Sequence, residues 1–304
     1  MKHLPILAFW LLGFIWGSNF IYMKQASVLI LPEQIVLLRV LFGFVPVLTY
    51  ALLIGALQRR HLRYAHHFLV MSVLATAAYY YGFAKGTALL PSGIAGALSG
   101  SIPIFALLLA LLFIPNERAT WQRVLGLVAG FSGVLLIADP FSADLGGGKA
   151  AGVLYMVLGS LSLGASFIYA KKYLSPLGIA PAALTTYQLG LALPILGFFT
   201  RLEGIGNILQ SPQATWGLII GLGLLGTGLA YLIYYYIVDK LGAVTAASAT
   251  YIPPVVALAI GAIIVGEPIT AKDYLAAILI FIAVILISMK TRPVTLPVAA
   301  KVAD

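Results

Sequence analysis

Two stretches decide the fold. Residues 102–120 read IPIFALLLALLFIPNERAT, and residues 252–270 read IPPVVALAIGAIIVGEPIT. Each opens Ile-Pro (Ile102-Pro103 and Ile252-Pro253) and runs through unbroken apolar sequence. Each then reaches a glutamate 14 residues after the proline, Glu117 and Glu267, and a threonine that opens the next apolar run, Thr120 and Thr270. The offset is 150 throughout. Nearer the start of each half, Phe20-Ile21-Tyr22-Met23-Lys24 matches Phe167-Ile168-Tyr169-Ala170-Lys171 at an offset of 147. Self-similarity at one fixed period marks an internal duplication.

Outward from these segments the chain is apolar almost everywhere. Of its 304 residues 62% are hydrophobic and 9% charged, with mean hydropathy +1.04. A soluble domain carries about 25% charged residues, so a water-facing surface could not be covered. Runs of about 20 apolar residues, each long enough to cross ~30 Å of hydrocarbon, predict ten spans. These are 4–23, 33–57, 68–90, 92–114, 119–138, 150–171, 180–200, 213–237, 242–265 and 270–289. The runs lack the ~10-residue alternation of a membrane barrel. Met1 to Trp16 has the outline of a signal peptide but no small-residue cleavage site, and is read as the first retained helix. The expected fold is therefore all-α and integral to the membrane, with ten transmembrane helices as two inverted five-helix repeats. Residues 1–140 form the first repeat, 141–149 a connecting loop, 150–290 the second repeat and 291–304 a cytoplasmic tail.

An odd number of crossings per repeat inverts the second copy, and loop charge agrees. With the N-terminus inside, twelve Lys and Arg face the cytoplasm, four face outward, and Arg39 and Lys85 fall within spans. The positive-inside rule then puts both termini in the cytoplasm; the expected location is the cell's inner (plasma) membrane. The net charge of +9 belongs to topology, and no nucleic acid partner is expected. The absence of cysteine excludes disulfides and thiolate metal sites. No cofactor or metal is expected.

Trp16-Gly17-Ser18-Asn19-Phe20, Leu38-Arg39, Pro103 with Glu117 and Pro253 with Glu267, in that order and duplicated, resemble the EamA family of the drug/metabolite transporter superfamily over residues 4–290. The resemblance implies ten helices in inverted repeats and the export or exchange of small metabolites. Amino-acid exporters, including the YddG type that handles aromatic amino acids, are the members it suggests. The second half departs from the pattern at Leu163-Gly164-Ala165-Ser166, so the halves are not expected to contact substrate equivalently.

Inverted repeats place a transport site near the bilayer midplane, where broken helices meet. Candidate substrate contacts are Trp16, Asn19, Tyr79, Tyr80, Lys85, Ser99, Ser166, Tyr231, Tyr235, Ser248 and Tyr251. Pro103, Pro253 and Pro254 are the candidate helix breaks, since proline removes a backbone donor. Arg39 is either a carboxylate ligand or a structural arginine held by loop carbonyls or Glu33. Lys85 lines an outer vestibule or snorkels to the interface. The tyrosines line a cavity or belong to an interfacial belt. All nine acidic residues fall at span ends, in loops or in the tail, so no carboxylate relay of protons through the membrane is expected. Gly221-Leu222-Gly223-Leu224-Leu225-Gly226 spells a dinucleotide fingerprint without the βαβ context that motif needs. Glycine pairs four apart, such as Gly13/Gly17 and Gly217/Gly221, point to close helix packing. The leading function is a secondary transporter working by alternating access. Carriage of nucleosides or quaternary ammonium drugs stays open, as does an intramembrane enzyme, although no nucleophile–base pair or metal cluster lies at membrane depth.

Overall fold

The computed structural model describes residues 3–115, 119–138, 148–241, 246 and 248–288. All regular structure among them is helical. Ten helices follow the chain: α1 (Leu4–Ser27), α2 (Pro32–Leu53), α3 (Arg59–Leu89), α4 (Ser92–Phe113), α5 (Trp121–Ala138), α6 (Gly148–Leu177), α7 (Pro181–Phe199), α8 (Pro212–Leu241), α9 (Ala249–Val265) and α10 (Ala271–Ser288). Nine are long and apolar enough to cross a membrane, and α9 is a shorter apolar helix within the described residues. Most ends fall within four residues of the expected spans; α3 begins nine residues earlier than expected because the 59–64 segment is a 3-10 helix that leads into it, α6 runs six residues further, and α9 begins seven residues later among the described residues. Glu117, Arg118, most of the 139–149 loop and the tail lie outside the described residues.

The surface is that of a molecule in hydrocarbon. Leu7, Trp10 and Phe14 on α1, Phe198 and Phe199 on α7, and Ile263 and Ile264 on α9 are all exposed. The polar side chains Asn19, Gln34, Arg39, Thr76, Ser166, Gln188 and Thr227 are buried. Lipid solvates apolar side chains, and polar groups must find partners inside the bundle.

The repeats interlock. The most extensive helix pairs cross between halves: α3 with α6, α5 with α10, α1 with α8 and α2 with α8, and α4 also packs on α9. Small residues permit this closeness. A Cβ on Gly13 or Gly17 would come within 2.5 Å of Ile252 or Val256 in α9. The glycines of the 221–226 run serve the same end, with Gly221 under Tyr22 and Gly223 under Phe42. Side-chain hydrogen bonds cross the same seam. Gln188 Nε2 donates to Thr76 Oγ1 at 2.8 Å, and Ser162 Oγ donates to the Leu74 carbonyl at 2.7 Å.

The prolines start helical segments rather than interrupt them. α4 is helical over Ser92–Ser99, turns at Gly100 and Ser101, and resumes at Ile102 with Pro103 in its first turn. α9 opens with a 3-10 turn, Ala249–Tyr251, and resumes at Pro253. At that position proline's missing N–H costs nothing, because the donor would be unpaired in any helix start. Pro46 in α2 and Pro194 in α7 sit inside helices, a further matched pair between the repeats.

Polar caps fasten the helix ends. Glu267 follows Gly266, whose left-handed φ of 70° ends α9. Its carboxylate accepts from the backbone N–H groups of Ser92 (2.7 Å) and Gly93 (2.9 Å), so one repeat caps the α4 N-terminus of the other. Thr270 and Asp273 cap α10 reciprocally, and Lys149 Nζ reaches Asp273 at 3.2 Å.

Candidate functional site

A cavity of about 110 Å³ lies where the two halves meet. α1 contributes Trp16, Asn19, Phe20 and Met23, and α2 contributes Arg39. α3 contributes Tyr79, Tyr80 and Phe83, and α4 contributes Ser99 and Ile102. From the second repeat come Leu163 and Phe167 of α6, Tyr231 of α8, and Thr250 and Pro253 of α9. The repeat is visible in the lining. Trp16 and Phe20 are the counterparts of Leu163 and Phe167 at the 147-residue offset, and each pair is one turn apart, so it shares a helix face.

Among the described residues Arg39 is the only ionisable cation in the lining, and none of them brings a carboxylate or histidine to the cavity. Its side chain is buried, with 4% exposure, and it makes no ion pair with a described residue. Neutral groups hold it. Nε donates to Thr227 Oγ1 at 3.0 Å, and the guanidinium lies 3.9 Å over the Tyr80 ring. With the Asn19 amide oxygen facing the guanidinium, Oδ1 accepts from Nη2 at 3.2 Å and Nδ2 donates to the Ile15 carbonyl at 3.2 Å. The opposite amide orientation would set donors against donors. Neither loop carbonyls nor Glu33, the structural partners considered from sequence, appear among its bonds. Thr227 is available because α8 is π-helical over Gly217–Leu229, and its hydroxyl also donates to the carbonyl of Leu222, five residues back.

The rest of the lining is aromatic. Tyr79 packs on Tyr80 (4.8 Å between ring centroids) and on Phe83 (4.6 Å), and Phe83 on Phe20 (5.9 Å). Ser99 donates to the Gly96 carbonyl at 2.6 Å, leaving its oxygen able to accept. The arrangement offers flat apolar faces, a few hydroxyl and amide groups and one fixed positive charge, a composition that suits a small amphipathic solute.

Eight residues singled out from sequence meet here: Trp16, Asn19, Arg39, Tyr79, Tyr80, Ser99, Tyr231 and Pro253. The others lie elsewhere. Ser166, the repeat counterpart of Asn19, is fully buried and donates to the Leu163 carbonyl at 2.7 Å. Leu163 and Phe167, on the neighbouring face of α6, reach the cavity instead. Tyr235 stacks behind Tyr231, 6.2 Å between ring centroids. Ser248 and Tyr251 line an apolar groove with Trp10 and Phe14, and Pro254 lines another with Tyr274. Lys85 is half-buried on α3 without an ion pair among the described residues, and Pro103 is partly buried on α4. Sequence reasoning missed Thr227, Phe20, Met23, Phe83 and Thr250. For Thr227 a signal was present, a hydroxyl between two glycines in an apolar span, Gly226-Thr227-Gly228.

The comparisons with known proteins agree with this architecture. The EamA-like transporter family matches residues 3–138 and again residues 150–289. The uncharacterized transporter YoaV of Bacillus subtilis (strain 168) is 27% identical over 269 residues, 88% of this chain and 90% of its own. The uncharacterized inner membrane transporter YedA of Escherichia coli (strain K12) is 26% identical over 215 residues, 68% of this chain and 67% of its own. A crystal structure shares the fold with a TM-score of 0.59 at 16% identity, over 93% of this chain and 95% of its own. Two five-helix repeats, ten helices with lipid-facing apolar surfaces and the matched segments lead to one conclusion: this chain is a multi-pass membrane protein that belongs to the EamA-like transporter family.

Proposed function

We propose that the protein is a carrier for small amphipathic metabolites, amino acids with aromatic side chains among them, and that it works by alternating access. The observation that carries this reading is the cavity between the repeats, bounded by α1, α2, α3 and α4 on one side and α6, α8 and α9 on the other. Rocking of one repeat against the other would expose such a cavity to each side in turn. Substrate is held by Trp16, Tyr79, Tyr80 and Tyr231 through their rings and by Asn19, Ser99 and Arg39 through polar groups. The repeats divide as residues 1–140 and 150–290, both termini are cytoplasmic, and transport runs without a carboxylate proton relay.

The test is counterflow in proteoliposomes. Vesicles preloaded with unlabelled phenylalanine should accumulate labelled phenylalanine transiently above equilibrium, with saturable kinetics. Flux that is linear in concentration and shows no counterflow would indicate a pore. Chemical conversion of the solute by the purified protein would indicate an enzyme.

A further inference from the structure

We propose that the cavity selects carboxylate anions: its preferred substrate is a small amphipathic organic carboxylate held by Arg39, and an α-amino group is not what the site recognises. This rests on the cavity being the substrate site and specifies the charge that site takes.

The argument starts from an uncompensated charge. A cation inside a bilayer-spanning bundle is costly and is normally paired with an anion or faces water. Arg39 is 4% exposed and, among the described residues, is bonded only to neutral groups: Thr227, Asn19, the Met23 sulfur and the face of Tyr80. These partners fix the plane of the guanidinium without neutralising it. Of its five N–H donors, Nε is committed to Thr227 and one on Nη2 to Asn19. The remaining three are on Nη1 and Nη2. Beyond Asn19 the described residues offer them only Met23 Sδ, 4.0 Å from Nη1, a weak acceptor. A fixed guanidinium with free donors on both terminal nitrogens matches the two oxygens of a carboxylate.

The same geometry disfavours a cation. Among the described residues no acidic side chain lines the cavity, so an ammonium group would find no counter-charge there and would sit near Arg39. The face of Tyr80 is already covered by the guanidinium, which leaves a positive group the other rings and neutral acceptors such as the Ser99 hydroxyl oxygen, with no counter-charge. The modest volume, about 110 Å³ against the 300–1,000 Å³ usual for drug-sized ligands, confines the occupant to a small solute. Quaternary ammonium drugs fail on both counts. An amino acid enters by virtue of its carboxylate, with its ammonium tolerated against aromatic faces.

The experiment is calorimetric binding to the purified full chain in nanodiscs, with three probes of one shape: 3-phenylpropionate, phenylalanine and phenethylamine. The carboxylate should bind at least as tightly as the zwitterion, and the amine about tenfold or more weakly, the scale of one lost charge-assisted contact. Arg39→Gln should abolish that order by weakening the carboxylate and sparing the amine. If Arg39→Gln does not fold, Thr227→Val, which frees Nε, should narrow the preference in the same direction. Tyr79→Ala separates the two levels of the argument. Binding that weakens in Tyr79→Ala yet favours phenethylamine overturns the charge assignment alone. Absence of binding, or binding indifferent to both Tyr79→Ala and Arg39→Gln, overturns the cavity as the site and this proposal with it.

Discussion

Arg39 shows how one side chain in a membrane bundle can be held in place and left charged. Thr227 approaches it because Gly43 of α2 faces Thr227 itself, where any Cβ would collide. Tyr80 supplies the π face, and its neighbour Tyr79 stacks against it. Aromatic contact and buried area together are worth roughly 1–3 kcal/mol per ring. Tyr79→Ala and Tyr80→Ala should therefore weaken substrate binding by that amount, a rise in Kd of about 5–150-fold. Tyr80→Ala should be the more severe for carboxylates, since it also releases the guanidinium. Tyr50→Ala and Tyr274→Ala, at exposed tyrosines outside the cavity, should leave Kd near wild type. Equal losses at all four positions in Kd measurements on folded protein would remove the support for an aromatic pocket.

At the scale of helices, two contacts carry separate predictions. Glu267 caps α4 from the opposite repeat through two backbone N–H groups, and the negative charge also suits the helix N-terminus. A glutamine keeps one acceptor and loses the charge. Glu267→Gln should lower stability by about 1 kcal/mol, the usual size of a lost cap, visible as a lower Tm with little change in probe affinity. An unchanged Tm would mean that the cap adds nothing. Gly17 lies against Val256, 2.5 Å from where a Cβ would stand. Gly17→Ala should force α1 away from α9 at a cost of about 1–3 kcal/mol, read in the same unfolding assay. Ser18→Ala, one residue away, removes only a hydroxyl bonded to the carbonyl of Ile15 and should cost less.

For the molecule as a whole the prediction is topological. The basic segment around Arg59, Arg60 and Arg63 should be cytoplasmic and the 201–212 connection external. The chain has no cysteine, so Arg60→Cys and Gln210→Cys, both at exposed positions, each give a single thiol. In intact cells an impermeant maleimide should label Gln210→Cys at once and Arg60→Cys only after permeabilisation. The reverse pattern would turn the molecule over. Because the most extensive helix pairs cross between halves, neither repeat buries its small-residue faces alone. Expression of one half should give protein that is not retained in the membrane as a folded unit, and co-expression of both halves should restore binding.

The sequence alone determined the ten helices, the duplication and the family, because each rests on properties that survive unfolding. Apolar run length must match the bilayer whatever the packing, and Pro103/Glu117 and Pro253/Glu267 keep their 150-residue offset. It also brought Trp16, Asn19, Arg39, Tyr79 and Tyr80 forward, since polar and aromatic groups deep in apolar spans stand out against their surroundings. Which face each residue presents was decided only by the tertiary structure. Ser166 and Asn19 match in the repeat, and Leu163 and Phe167 line the cavity as their counterparts Trp16 and Phe20 do, yet the short Ser166 hydroxyl bonds back to the Leu163 carbonyl of its own helix while the longer Asn19 amide reaches Arg39. In a span apolar on every side, hydrophobic periodicity cannot mark an inner face, because lipid and protein interior are equally apolar. Arg39 could be read as structural or as a ligand until its neighbours were known. The difference lies in Thr227, almost two hundred residues away in sequence and 3.0 Å away in space, and in a cavity lining to which none of the described acidic residues contributes.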